Sequence, residues 1–135
     1  MGRAVIYLLD TNICIYIINR RPPQVRAHFE GLRYGDVAVS SITGAELAFG
    51  VAKSGSARNR EALEKFLAPL EVLPFDVAAM YAYGALRADL QARGQPIGAL
   101  DTMIAAHALA LGATLVTNNL AEFNRVSGLT CENWV

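Results

Sequence analysis

The chain has 135 residues, of which 53% are apolar, and twelve basic residues balance twelve acidic ones. This neutral balance argues against a protein that binds nucleic acid through a strongly basic surface. The apolar runs end well before the roughly 20 residues of a membrane span. We therefore expect a single cytoplasmic domain over residues 1–135, with no membrane partner.

The first half of the chain alternates between short apolar strands and helices. In chain order, the predicted elements are a strand at 4–9, a helix at about 12–18, a helix from Pro22 or Pro23 to before Gly35, a strand at 37–40 and a helix that residues 41–43 cap and that runs to about 53. The β-branched residues Val5 and Ile6 favour a buried position for the first strand.

The second half repeats this alternation. Its predicted elements are a helix at about 58–67, a strand at 71–73, helices at about 77–92 and 102–111, a strand at 114–116 and an edge strand at 130–135. Short strands that alternate with helices predict an α/β fold with a parallel sheet and helices on both faces. Ligands of such sheets bind beyond the carboxyl ends of the strands.

Three isolated carboxylates fall just after a strand or at the start of a helix. Asp10 is the only charged residue between Arg3 and Arg20, and Glu46 and Asp101 are similarly free of charged neighbours. Each could be an ordinary helix cap or first-turn residue, which the helix dipole favours. Carboxylates that converge without basic partners raise one another's pKa values, and a divalent cation would relieve that repulsion. The pattern alone leaves a metal site and a non-catalytic fold open.

The ligand chemistry narrows the choice of metal. Oxygen ligands without Cys or His at metal-binding spacing favour Mg²⁺ or Mn²⁺ over zinc. Such an ion binds phosphate oxygens and can generate hydroxide for in-line attack on a phosphodiester. If the three acids are held in a metal site, nine acids remain against twelve bases, and ten of these bases are arginine. Arginine suits bidentate contact with phosphate, so the sequence indicates phosphoryl chemistry.

Four motifs in order resemble the PIN-domain ribonucleases. They are LLDTN at residues 8–12, SSITGAEL at 40–47, DTMIAAHA at 101–108 and LVTNN at 115–119, with Glu122 and Phe123 following. The resemblance is closest to the VapC-type toxins of bacterial toxin–antitoxin pairs, and it covers nearly the whole chain. It implies a PIN-like three-layer α/β/α domain with a short, mainly parallel central sheet flanked by helices.

The resemblance also implies an activity, that of a metal-dependent endoribonuclease. Its acids, here Asp10, Glu46 and Asp101, would hold Mg²⁺, with Mn²⁺ as a substitute. Metal-activated water would cut RNA to leave a 5′-phosphate and a 3′-hydroxyl. Many members of the family carry a fourth acid where this chain has Asn119. We include Asn119 in the catalytic set, although its neutral amide argues against a tightly held second metal.

Three further polar residues correspond to supports of the metal ligands. These are Thr11, Asn12 and Thr117, whose hydroxyl and amide groups would orient the carboxylates. Glu122 could assist through a water molecule or could simply face solvent. The Thr-Asn-Asn signature at 117–119 makes a transfer RNA a candidate substrate by resemblance.

Protein partners follow from the apolar excess and from the resemblance. A mean hydropathy of +0.29 suggests that another protein covers some apolar surface. The family implies a homodimer and an inhibitory VapB-like antitoxin, in a complex that could be a larger toxin–antitoxin assembly. The antitoxin's C-terminal segment would cross a groove and place a basic side chain among the acids. Our candidate groove residues, each of which could equally be core, are Leu47, Phe49, Phe66 and Leu70.

Three other interpretations remain open from the residues. His28 and His107 could run a metal-free ribonuclease, although nothing in the sequence brings them together. A receiver or phosphatase-like domain would need a second acid two residues from Asp10, where Asn12 stands. The chain could also bind RNA or an antitoxin without cleaving, which Asn119 favours and which metal-stimulated cleavage would exclude.

Overall fold

A computed structural model describes residues 5–135. Its strands are β1 (Tyr7–Leu9), β2 (Val37–Ser40), β3 (Glu71–Leu73), β4 (Thr114–Val116) and β5 (Cys131–Glu132). Its α-helices are α1 (Thr11–Asn19), α2 (Pro23–Glu30), α3 (Ser41–Ser54), α4 (Ala57–Leu67), α5 (Val77–Ala92), α6 (Ala99–Leu111) and α7 (Leu120–Phe123). The strands pair in parallel in the order β3-β2-β1-β4-β5, which confirms the predicted α/β sheet and its edge strand.

Several element boundaries differ from the prediction, and α2 and β5 are both shorter than predicted. Strand β1 covers Tyr7–Leu9 only, and residue 4 of the predicted strand lies outside the described residues. Helix α6 begins at Ala99, so Asp101 lies in its first turn and the cap is Gly98. Helix α7 and a 3₁₀ turn at Tyr34–Asp36 were not predicted, because segments of three or four residues are too short to show a periodic pattern.

Side-chain caps fix where the helices begin. The N-caps of α1, α3, α4 and α5 are Asp10, Ser40, Ser56 and Asp76, and the side chain of each accepts a backbone N–H bond. The cap of α3 is thus one residue earlier than the predicted 41–43. Asp10 both ends the central strand β1 and caps α1, so its carboxylate is held at the carboxyl end of the sheet.

Each face of the sheet carries its own hydrophobic core. In β1, Leu9 faces the core formed with α1, α2, α3 and α4, and Leu8 faces the core formed with α5, α6 and α7. Neighbouring strand residues point to opposite faces, so one short apolar strand serves both cores. This arrangement confirms the expected three-layer α/β/α architecture. Within residues 5–135, no helix is both long and apolar enough to cross a membrane.

Candidate active site

The centre of the site is the buried carboxylate of Asp10, which is 4% exposed. Strands β1 and β4 are parallel neighbours, so Asp10 and Thr117, which follow them, meet at one edge of the sheet. The Thr117 hydroxyl donates to Asp10 Oδ2 at 2.8 Å, and the Thr11 backbone N–H donates to Oδ1 at 2.7 Å. Two donors therefore hold this carboxylate in a single orientation.

Glu46 joins this centre through Thr11. Helix α3 follows β2, the other neighbour of β1, and Glu46 lies in its second turn. The Thr11 hydroxyl donates to Glu46 Oε1 at 2.9 Å and lies 3.4 Å from the hydroxyl of Thr43. Thr11 thus bonds to both acids, by its backbone to Asp10 and by its side chain to Glu46.

Asp101 brings a second acid with it. Its carboxyl shares a side-chain hydrogen bond with Glu122 of α7. Glu122 Oε2 also accepts from the Asn119 side-chain amide at 3.1 Å, and the Asn119 backbone N–H donates to the Thr117 hydroxyl at 3.0 Å. Glu122 is therefore part of the site. The sequence did not decide between a role in the site and a position facing solvent, because the helix that positions Glu122 is too short to show a periodic pattern.

The pKa values of the two aspartates reflect this crowding. Burial raises the pKa of Asp10, hydrogen bonds from Thr117 and Thr11 oppose that rise, and the charges of Glu46 and Glu122 add to it. The pKa of Asp101 is raised to about 7, first by burial, then by the hydrogen bond with Glu122 and the neighbouring carboxylates. In the described residues, no basic side chain contributes to either pKa shift.

The donor set fits a hard divalent cation. Carboxylate, hydroxyl and amide oxygens are the ligands that such ions prefer. The raised pKa values reflect burial first and then repulsion between carboxylates, and a cation would offset both. Across residues 5–135, however, no three acid, histidine or cysteine side chains already form a metal-ligand cluster. The acids are instead held in two pairs, Asp10 with Glu46 through Thr11, and Asp101 with Glu122.

Asn12 is the one predicted site residue that the structure leaves outside this network. Its side chain is exposed, and it forms no side-chain hydrogen bond within the described part of the chain. Consecutive residues of a helix do not face the same way, so Thr11 can reach Glu46 only if Asn12 points elsewhere. The prediction that Asn12 orients the carboxylates is therefore not supported.

The paired-histidine mechanism is excluded by the fold. His28 lies on α2 and stacks on Trp134, with 4.3 Å between the ring centroids. His107 lies on α6, is 1% exposed, and its Nδ1 is 2.9 Å from Ser40 Oγ. These helices cover opposite faces of the sheet, so the two imidazoles cannot act on one substrate.

The candidate groove residues divide between core and surface. Leu47, Phe66 and Leu70 are buried in the core, and Phe49 is 68% exposed. A groove of about 470 Å³ lies between α1, α3 and α4, and Leu47 lines it together with Thr11 and Glu46. The prediction is therefore right for Leu47, which belongs both to the core and to the groove wall, and wrong for the other three residues, because packing decides which face each helix presents. Much of the remaining wall is apolar and comes from Ile15, Ile18, Val51 and Leu63.

The chain belongs to the PIN-domain family. The PIN domain model matches residues 7–129. Among curated relatives, ribonuclease VapC2 of Rickettsia felis is 46% identical over 132 residues, which cover 96% of this chain and 98% of the relative. The tRNA(fMet)-specific endonuclease VapC of Shigella flexneri is 44% identical over 129 residues, with 95% and 97% covered. The resemblance to VapC-type ribonucleases is confirmed, and the receiver or phosphatase-like interpretation is wrong.

Solved structures of VapBC complexes share the fold along almost the entire chain. VapBC2 from Rickettsia felis, bound to a DNA fragment from its promoter, matches with a TM-score of 0.88 at 43% identity, over 97% of this chain and 100% of that one. DNA-bound VapBC from Salmonella typhimurium matches with a TM-score of 0.89 at 41% identity, over 97% and 99%.

Proposed function

We propose that this protein is a metal-dependent endoribonuclease toxin whose Mg²⁺, or Mn²⁺ as a substitute, is held by Asp10, Glu46 and Asp101. The observation that carries the proposal is the meeting of acids from three chain segments, without a basic partner in the described residues, at the carboxyl edge of the sheet. A divalent cation bound there supplies a water of lowered pKa and stabilises the charge that develops on the phosphodiester.

The chain's own residues orient these acids. Thr117 holds Asp10 Oδ2, and Thr11 holds Glu46, so neither carboxylate has to be ordered when the cation arrives. Asn119 acts on the other side by holding Glu122, which in turn contacts Asp101. The proton that the raised pKa of Asp101 retains near neutral pH would leave when the cation binds.

The proposed substrate is RNA, with transfer RNA as the first candidate. Relatives from Shigella flexneri and Salmonella typhimurium are named tRNA(fMet)-specific endonucleases, at 44% and 43% identity. This chain carries the Thr-Asn-Asn signature at 117–119 that first suggested such a substrate. The protein would then act in the cytoplasm, where transfer RNA is found.

We further propose that a VapB-like antitoxin inhibits the enzyme through the groove between α1, α3 and α4. One end of that groove reaches Thr11 and Glu46, and much of its remaining wall is apolar. A peptide with apolar side chains and one terminal basic residue fits both features, because the basic group would neutralise the acids. The similarity to solved VapBC complexes supports such a partner.

We also propose a homodimer. Helix α5 exposes Val77, Met80 and Tyr81 by 63%, 50% and 72%, and no charged residue interrupts residues 77–86 of this helix. An apolar face of this kind is typical of a protein interface. Light scattering of the purified chain, alone and with its antitoxin, would separate a dimer from a larger toxin–antitoxin assembly.

The test of the enzymatic proposal is cleavage of total transfer RNA by antitoxin-free protein with Mg²⁺ or Mn²⁺, with and without EDTA. We expect cuts at defined sites that EDTA abolishes and that Asp10→Asn lacks. Asp89→Asn is the matched control, because Asp89 is a half-exposed acid paired with Arg93 on α5. If the unaltered protein and Asp10→Asn bind RNA equally and the unaltered protein cleaves none, the chain is a binding module instead.

A further inference from the structure

Each threonine that holds Asp10 is followed by an exposed asparagine. Asn12 follows Thr11, and Asn118 follows Thr117. The Thr117 hydroxyl turns inward to Asp10 and the Thr11 hydroxyl turns inward to Glu46, whereas the two asparagines turn outward to solvent. Two uncharged amides therefore lie beside the acid site, one from α1 and one from the segment after β4.

Tyr16 shares a helix face with Asn12 and forms a hydrogen bond with Asn118. It lies four residues after Asn12 on α1, so both side chains share one face of the helix. Helical side chains lean toward the helix N-terminus, and the Tyr16 hydroxyl accordingly reaches back to the end of β4. There it accepts a hydrogen bond from Asn118 Nδ2 at 3.0 Å. The Tyr16 ring also packs against the hydrophobic core, which fixes its position.

Asn12, Tyr16 and Asn118 form what we call the amide strip. On the basis of the proposed ribonuclease function, we propose that the amide strip binds a nucleotide adjacent to the bond that is cut, in a single-stranded segment of RNA. It would thereby determine which base is accepted at that position. None of its three residues holds a carboxylate, so the strip would act on specificity rather than on the metal.

The chemistry of the strip favours a base over a phosphate. Affinity for phosphate comes chiefly from the charge of Lys and Arg, which the strip lacks, and the phosphate contacts that Asn and Tyr side chains also make carry no sequence information. An asparagine amide offers a donor and an acceptor side by side, which is the pattern that reads the edge of a base. In single-stranded RNA those edges are open to hydrogen bonding, and aromatic side chains such as Tyr16 can stack on the bases.

The test uses a pool of short single-stranded RNAs that is randomised on both sides of one cleavable site. Products cut by the unaltered protein with Mg²⁺ are sequenced and compared with those of Asn118→Ala and Tyr16→Phe. In parallel, RNAs from the same pool that bind in Ca²⁺ are sequenced, which records base preference without cleavage. Asn124→Ala and Tyr34→Phe are the matched controls, because both residues are exposed and lie outside the strip.

We expect the two strip variants to reduce the base preference at one flanking position by about tenfold, the discrimination typical of a good side chain–base contact. Their affinity for Mg²⁺ should stay within about twofold of the unaltered protein, and the controls should keep the full preference. A uniform loss of cleavage for all bases would overturn the inference, as would an unchanged preference or an effect on antitoxin affinity alone.

The Ca²⁺ arm separates this inference from the enzymatic proposal. If the unaltered protein binds selected RNAs but cuts none, the enzymatic proposal fails, and a loss of that selection in the strip variants still supports the strip. If the unaltered protein cuts RNA and the strip variants leave the base preference intact, only the proposal for the amide strip is overturned. A protein that neither binds nor cuts RNA would overturn both.

Discussion

The site has two sides that hold their carboxylates in opposite ways. On the Asp10 side, Thr117 and Thr11 bond to Asp10, and on the Asp101 side, Glu122 bonds to Asp101. Asp10 is the more deeply buried, yet it receives two hydrogen bonds from donors that stabilise its charged form. Asp101 is only partly buried, and its side-chain partner is another acid, Glu122. Burial is the largest cause of the raised pKa of both aspartates, and their partners then act in opposite directions, since donors oppose the rise at Asp10 and Glu122 adds to it at Asp101. In the proposed metal site, the Asp10 side is therefore ordered in advance, and the Asp101 side would lose its proton when a cation binds.

The largest effect is expected from Asp10→Asn. This change keeps a cap acceptor for the Thr11 backbone N–H but removes the charge that both threonines serve to position. We predict a loss of about 1,000-fold in kcat, because charge stabilisation by a bound metal is worth several kcal/mol. Single-turnover cleavage with saturating Mg²⁺ measures it. Activity within about threefold of the unaltered protein would mean that the two sides do not share one cation.

Thr117→Val tests the hydrogen bond that distinguishes the Asp10 side. It removes the donor to a buried carboxylate while keeping the shape of the side chain. We predict a loss of about 1 to 3 kcal/mol in the free energy of unfolding near neutral pH. We also predict a decrease of about 10- to 100-fold in cleavage or metal affinity. Urea unfolding and Mg²⁺ titration measure these losses, and Thr117→Ser, which keeps the hydroxyl, should retain most of both.

The Asp101 side predicts an unusual dependence of stability on pH. A carboxyl whose pKa rises from 3.8 to about 7 on folding binds more protons in the folded than in the unfolded state between these values. The free energy of unfolding of the metal-free protein should therefore fall as pH rises from about 4 to about 7. Thermal unfolding at several pH values in EDTA measures this fall. Asp101→Asn should flatten the decline, and a decline of the same size in that variant would contradict the account.

Glu122→Gln makes the smallest and most specific change. It keeps a hydrogen-bonding partner for Asp101 but removes a negative charge that raises the pKa of both aspartates. We predict that the pH at which Mg²⁺ binding is half-maximal shifts downward, because Asp101 releases its proton more readily. Isothermal titration at a series of pH values measures the shift. An upward shift would mean that Glu122 acts chiefly as a metal ligand.

The fold and the placement of the carboxylates at the sheet edge were predictable because both depend on local patterns. Asp10 ends an apolar run and begins a helix, and the same strand-to-helix change precedes Glu46. Parallel strands bring such junctions to one edge whatever their order in the sheet. The strand order β3-β2-β1-β4-β5 then makes Asp10 the centre, since β1 is the middle strand.

The details of contact were not predictable from the sequence. The position of Glu122 depends on a helix of only four residues. Thr11 and Asn12 are adjacent polar residues, and only the direction of its side chain brings Thr11 to Glu46. On α3, the exposure of Phe49 follows from the way the helix packs, which no periodicity in α3 itself reveals. Each of these failures concerns which way a side chain points, and that is decided by tertiary packing.

The shared metal site is tested most directly by Mn²⁺ binding to the antitoxin-free protein, measured by electron paramagnetic resonance with Mg²⁺ as competitor. We predict that the unaltered protein and Asp89→Asn bind Mn²⁺ with equal affinity. We predict that the Mn²⁺ affinity of Asp10→Asn and of Asp101→Asn falls at least about tenfold, since both sides contribute ligands to one cation. Unchanged affinity in either variant would contradict the claim that the acids of the two sides hold a shared divalent ion.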